Sequence, residues 1–136
     1  MKYLLGTNVC IALINETSSK ARSAFLRATR SGASIVTSAI VVHELWYGVA
    51  KSRLAAQNAN ALTVFLTRNV TVLDFTEPDA QAAGEIRAEL ERKGTRIGEY
   101  DTLIAGQAFA RNLILVTANT REFARVKGLV VEDWAA

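Results

Sequence analysis

The opening stretch Lys2-Tyr3-Leu4-Leu5-Gly6-Thr7-Asn8-Val9-Cys10-Ile11-Ala12-Leu13-Ile14 decides the fold. Lys2–Leu5 is short, apolar and strand-like, and it runs straight into Gly6-Thr7-Asn8, a turn whose Asn8 is placed to cap a helix over Val9–Ile14. The same strand-then-helix alternation continues outward. Ser18 or Ser19 heads a helix to about Arg30, with Ala24, Phe25 and Ala28 on one face, and Ser31-Gly32 ends it. Ser34–Thr37 reads as a strand. Ser38 caps a helix over Ala39–Lys51, and Leu54–Arg68 is helical in composition. Val70–Leu73 is the next strand. Thr76-Glu77-Pro78-Asp79 has the form of a capping box with Pro near the helix start, and its helix runs over Ala80–Arg92 to Gly94. Tyr100–Arg111 is apolar at helical spacing, and Leu113–Thr117 and Leu129–Glu132 are strands. Such alternation predicts an α/β fold, a parallel sheet with helices on both faces.

At 136 residues the expectation is one domain, 1–136. A single Pro and the absence of repeats or low-complexity runs leave no linker. Half the residues are hydrophobic and 21% charged, which excludes a disordered chain. One cysteine, Cys10, excludes a disulfide framework and a zinc finger. No apolar run approaches the ~20 residues of a membrane span, and Met1–Gly6 does not read as a signal peptide, so the expectation is a cytoplasmic protein with no membrane role. Net charge is +3, unevenly spread. Residues 1–73 carry eight Lys/Arg against two acids, and residues 74–136 carry eight against eleven. The basic half suits an anionic partner such as nucleic acid, or is simply a solvated basic surface.

In an open α/β sheet ligands bind beyond the carboxyl ends of the strands. Five segments are expected there: Gly6–Asn8, Ser38–Glu44, Thr76–Asp79, the start of the Tyr100 helix, and Thr117–Glu122. Glu44 lies in the apolar run Ile40-Val41-Val42-His43-Glu44-Leu45-Trp46 and needs a partner, because an unpaired buried carboxylate is costly. An arginine, solvent or a metal would serve. Asp101 is either a first-turn acid favoured by the helix dipole or a ligand. Together the two acids point to a hard divalent cation on oxygen ligands, Mg²⁺ or Mn²⁺. Two other chemistries compete. His43 with Cys10 or Ser38 would be a nucleophilic site, and Gly6-Thr7-Asn8 a phosphate cradle without a glycine-rich fingerprint. Trp46 and Tyr47 read as core or dimer contacts.

Four motifs in order, Leu4-Leu5-Gly6-Thr7-Asn8, Ser38 with Glu44, Tyr100-Asp101-Thr102-Leu103-Ile104-Ala105 and Thr117-Ala118-Asn119-Thr120-Arg121-Glu122-Phe123, resemble the PIN-domain ribonucleases. Within that family they are most similar to the VapC toxins of bacterial type II toxin–antitoxin systems. The resemblance implies a three-layer αβα sandwich and a Mg²⁺-dependent endoribonuclease. It also implies a homodimer within a larger complex with a VapB-type antitoxin, DNA being reached only through that antitoxin. The Ile97-Gly98 and Thr120–Phe123 variants are similar to a subgroup that cuts initiator tRNA in its anticodon stem-loop. Carried over, Glu44 and Asp101 become metal-binding acids and Asn119 takes a fourth acid's place. Thr7, Asn8 and Thr117 would support them, and Glu99, where relatives often have Pro, would add a ligand or face solvent. The motif's first acid is missing: Gly6 stands where the resemblance places Asp, so the chain is expected to have impaired chemistry. A non-enzymatic RNA- or antitoxin-binding module on the same fold is the alternative.

Overall fold

The computed structural model describes all of residues 1–136. Its elements follow the expected alternation: β1 (Lys2–Leu5), α1 (Thr7–Asn15), α2 (Ser19–Arg30), β2 (Ser34–Ser38), α3 (Ala39–Ala50), α4 (Ala55–Arg68), β3 (Thr71–Leu73), α5 (Glu77–Arg92), α6 (Glu99–Ala110), β4 (Ile114–Val116), α7 (Thr120–Phe123) and β5 (Val131–Glu132). The five strands form one sheet in the order β3-β2-β1-β4-β5, and every neighbouring pair is parallel. The chain steps outward from β1 through β2 to β3, then crosses back to β4 and β5 on the other side. Parallel crossovers are right-handed, so this reversal carries the later helices to the opposite face. The result is a helix–sheet–helix sandwich whose topological switch lies between β1 and β4, the place where such sheets bind ligands.

The central position of β1 explains its composition. Flanked by β2 and β4 and covered on both faces, Leu4 and Leu5 are fully buried, as are Leu115 and Val116 of β4. Val41 and Leu45 of α3 and Ile104, Ala105 and Ala108 of α6 join the same core. The helix pair α5·α6 packs unusually closely. A Cβ on Gly106 would stand 2.6 Å from backbone atoms of Ala83, so only glycine permits this approach.

Three local features depart from the sequence reading. Helix α1 starts at Thr7, and Gly6 rather than Asn8 is its N-cap, in extended backbone without a side-chain cap. Gly6 donates its N–H to Val116 O at 2.9 Å while its carbonyl accepts from Cys10 N at 3.2 Å. One residue thus ends the strand and begins the helix, and Asn8 falls inside the first turn. Helix α7, a single turn, went unpredicted. The edge strand begins only at Val131, because Leu129 N–H closes a turn onto Val126 O. Ser18 and Ser38 are the N-caps of α2 and α3, accepting from Ala21 N and Ile40 N.

Candidate active site

The carboxyl ends of β1 and β4 open into a cleft of about 260 Å³, lined among others by Gly6, Thr7, Glu44, Asp101, Thr117 and Asn119. Each arrives from a different segment. Gly6 and Thr7 come from the β1–α1 junction, Glu44 from the second turn of α3, Asp101 from the first turn of α6, and Thr117 and Asn119 from the loop after β4. Asn8 is exposed but also lines the cleft. Four of the five expected segments therefore converge.

Thr76–Asp79 does not join them. Asp79, 1% exposed, faces inward and takes Arg111 Nε at 3.0 Å and Nη2 at 2.7 Å. The Thr76 backbone N–H and hydroxyl also donate to Asp79, at 2.9 and 3.0 Å, and Gln107 Nε2 donates at 3.2 Å. Burial alone would raise this carboxyl's pKa, but the Arg111 and Thr76 hydrogen bonds outweigh it and hold the pKa below the ordinary value. The capping box is real, yet its acid ties α5 to the end of α6 and has no part in the cleft.

Within the cleft, Thr7 Oγ1 donates to Glu44 Oε1 at 2.8 Å and fixes one carboxylate oxygen. Asn119 N–H donates to Thr117 Oγ1 at 3.0 Å, which shapes the loop carrying both side chains. Asp101 is half-buried. Its pKa is raised, first by burial and then by the like charges of Glu44 and Glu122. Crowded carboxylates without a counter-charge are what a hard cation relieves, and the donors present are all oxygen or amide groups. The donor chemistry suits a divalent ion, but Glu44 and Asp101 are the only two carboxylates lining the cleft, and no group of three His, Cys, Asp or Glu side chains is placed to hold one.

Glu99, one possible ligand, is exposed and lines a separate groove with Arg87 and Arg96, so it stays outside the cleft. Glu122 was overlooked in the ligand reading, although its charge reaches Asp101. Its position in the Thr117–Phe123 motif was the available signal.

The competing chemistries fail on geometry. The Cys10 thiol is fully buried with its pKa pushed up to about 12 by desolvation, so no thiolate is available. Ser38 Oγ is occupied as the cap of α3. The His43 ring packs against Tyr100, with centroids 5.3 Å apart. A bare phosphate at the α1 N-terminus would meet Glu44 and Asp101 across the same cleft, which repel it unless a cation intervenes. Trp46 and Tyr47 are exposed, Tyr47 by 61%, which removes the core reading and leaves the dimer reading.

Comparison with known proteins agrees with this architecture. The PIN-domain family model matches residues 3–129. The tRNA(fMet)-specific endonuclease VapC of Shigella flexneri is 40% identical over 135 residues, 99% of each chain. Ribonuclease VapC2 of Rickettsia felis is 41% identical over 98% of each chain. Among solved structures, VapBC2 from Rickettsia felis bound to a promoter DNA fragment superposes with a TM-score of 0.91 at 41% identity, covering 98% of this chain and 99% of that one. DNA-bound VapBC from Salmonella typhimurium gives 0.90 at 40% identity, covering 98% of both.

Proposed function

The chain belongs to the PIN-domain family and to its VapC ribonuclease branch, and from that premise we propose that it is a toxin-type endoribonuclease acting on initiator tRNA in the anticodon stem-loop, neutralised by a VapB-type antitoxin. By family it is an endoribonuclease, and PIN-domain nucleases generally use divalent metal ions. The observation that carries the reading is the meeting of Glu44 and Asp101 in one cleft at the β1/β4 switch point.

Glu44 and Asp101 would hold Mg²⁺, with Asn119 contributing an amide oxygen. A divalent ion there supplies positive charge to the phosphodiester and lowers the pKa of the attacking water. Thr7 holds the Glu44 carboxylate in one orientation, so the acid costs little reorganisation on binding. Thr117 fixes the loop that presents Asn119. No nucleophilic side chain is needed, in keeping with the buried Cys10 and the capping Ser38.

Gly6 leaves one ligand position without an oxygen, so activity of this chain is low. The same glycine favours a second reading, a non-enzymatic module that binds RNA or antitoxin through the intact surface. The chain is expected to form a homodimer within the antitoxin complex, with Trp46 and Tyr47 at the dimer contact, and to meet DNA only through that complex. No helix is long and apolar enough to cross a membrane.

The test is incubation of the Gly6→Asp variant with initiator and elongator tRNAs in Mg²⁺, followed by mapping of the new 5′ ends. A cut confined to the initiator anticodon stem-loop is the expected result. No cleavage of any RNA by that variant overturns the enzyme reading and leaves the binding module.

A further inference from the structure

The two cleft acids are each preceded by an aromatic ring, His43 before Glu44 and Tyr100 before Asp101. The same two helices that bring the acids together bring these rings together, with centroids 5.3 Å apart at 54°. Both rings are at the surface, Tyr100 by 49%. Neither lines the cleft itself. Tyr100 instead lines the neighbouring groove of about 370 Å³ between α5 and α6, which also holds Arg87 and Arg96. Arg87 is paired with Glu91, whereas Arg96 makes no side-chain ion pair. The first turn of α6 therefore stands between the cleft of Glu44 and Asp101 and a groove that holds Glu99 and the Arg96 guanidinium, which makes no side-chain ion pair, and the exposed Tyr100 ring lies at that groove.

We propose that Tyr100, backed by His43, is a stacking platform that seats an unpaired nucleobase next to the scissile phosphate, with Arg96 taking a flanking phosphate. The assignment rests on the ribonuclease reading above and names how its substrate is held. Single-stranded loops are recognised by bases splayed onto aromatic faces, and each base has a π-face to offer. His43 packs against Tyr100 at a tilt of 54°, so one side of the tyrosine ring is supported while the residue stays 49% exposed. Bases inside a stem are already stacked on both faces by neighbouring pairs, so the platform favours loop over stem.

The test uses the chain with Gly6 in place, where the missing carboxylate is expected to keep cleavage slow enough for binding to be read. A stem–loop RNA carries a fluorescent adenine analogue in the loop, and affinity and quenching are followed in Mg²⁺. The parent is expected to bind and quench. Tyr100→Ala should weaken binding by about ten-fold, within the range for one base stack, and abolish quenching. Tyr100→Trp should keep both. Tyr100→Leu retains apolar bulk without a ring and should lose the quenching, which separates stacking from packing even if the alanine variant folds poorly. Arg96→Gln should weaken binding and flatten its salt dependence while leaving quenching intact. Unchanged affinity and quenching in Tyr100→Leu overturn the platform. So does a change in oligomer size with RNA binding unaltered, which would assign the ring to a second copy of the chain. A parent that binds no RNA refutes the ribonuclease reading itself, a result distinct from either.

Discussion

Placing an aspartate at position 6 is the sharpest perturbation the structure offers. Gly6 is buried at the N-cap of α1, and an added Cβ would lie 3.1 Å from Val116 O and 3.8 Å from the Thr117 Cβ. The first contact is tight by a few tenths of an ångström and falls on backbone, so β4 must give slightly, at about 1 kcal/mol, the low end for overpacking. The carboxylate offsets part of this as an N-cap acceptor at the positive end of the helix, by a few tenths of a kcal/mol relative to Gly. It also joins Asp101, whose raised pKa already reflects burial and the charges of Glu44 and Glu122. Without metal, Gly6→Asp should therefore be less stable by about 1 kcal/mol, a fall of roughly 3 °C in Tm for a chain of this size. Mg²⁺ should raise its Tm more than that of the parent, because a ligand that binds only the folded state stabilises it. Cleavage of initiator tRNA should increase at least about 100-fold, roughly 2.7 kcal/mol of transition-state stabilisation. The assay compares parent and variant with Mg²⁺ and with EDTA, alongside thermal melts. Equal, EDTA-insensitive rates in the two proteins would refute the assignment of position 6 to the cation site.

The other expectations can be measured on the same preparations. In the Gly6→Asp background, Glu44→Gln and Asp101→Asn should each lower the cleavage rate by well over 100-fold with the fold intact by circular dichroism. Thr7→Val in that background removes the hydrogen bond to Glu44 and should cost about 10–100-fold in rate or metal affinity, as read by Mg²⁺ titration. Gly106→Ala drives a methyl to 2.6 Å from Ala83 backbone and should lower stability by about 3 kcal/mol, seen as a Tm drop of roughly 10 °C. Because the pKa of Asp79 is lower folded than unfolded, its contribution is fully present above the ordinary aspartate value of about 3.9. That contribution is lost as pH falls through the folded value. Melts below about pH 4 should therefore show a steeper fall in the parent than in Asp79→Asn.

Much of this architecture was legible in the sequence because the decisive signals are local. Lys2–Leu5, the capped starts at Ser18 and Ser38, and the Thr76–Asp79 box each announce themselves within a few residues. Glu44 stood out as an acid in an apolar run and Asp101 as an acid at a helix start, and the sheet topology brings them to one cleft. What stayed hidden depends on distant partners. The helix start at Gly6 is set by a bond to Val116, and the burial of Asp79 by Arg111, 32 residues on. Likewise, Glu99 and Glu122 are both acids near a motif, and only the path of α6 and of the loop after β4 decides which one reaches Asp101.

The central seat of β1 has a consequence for how the protein is made. Its neighbours on the two sides come from widely separated parts of the chain, Tyr3 pairing with Ile35 on one side and with Ile114 on the other. A nascent chain can zip β1 to β2 early, but it has no floor under Gly6 and no Thr117 or Asn119 until β4 has been synthesised and threaded alongside. Parallel pairing at such separation is slow, since a long loop must close before any contact rewards it. A ribosome-bound fragment therefore carries Glu44 without the strand that completes its cleft. Until β4 docks, the cleft lined by Glu44 and Asp101 lacks one of its walls.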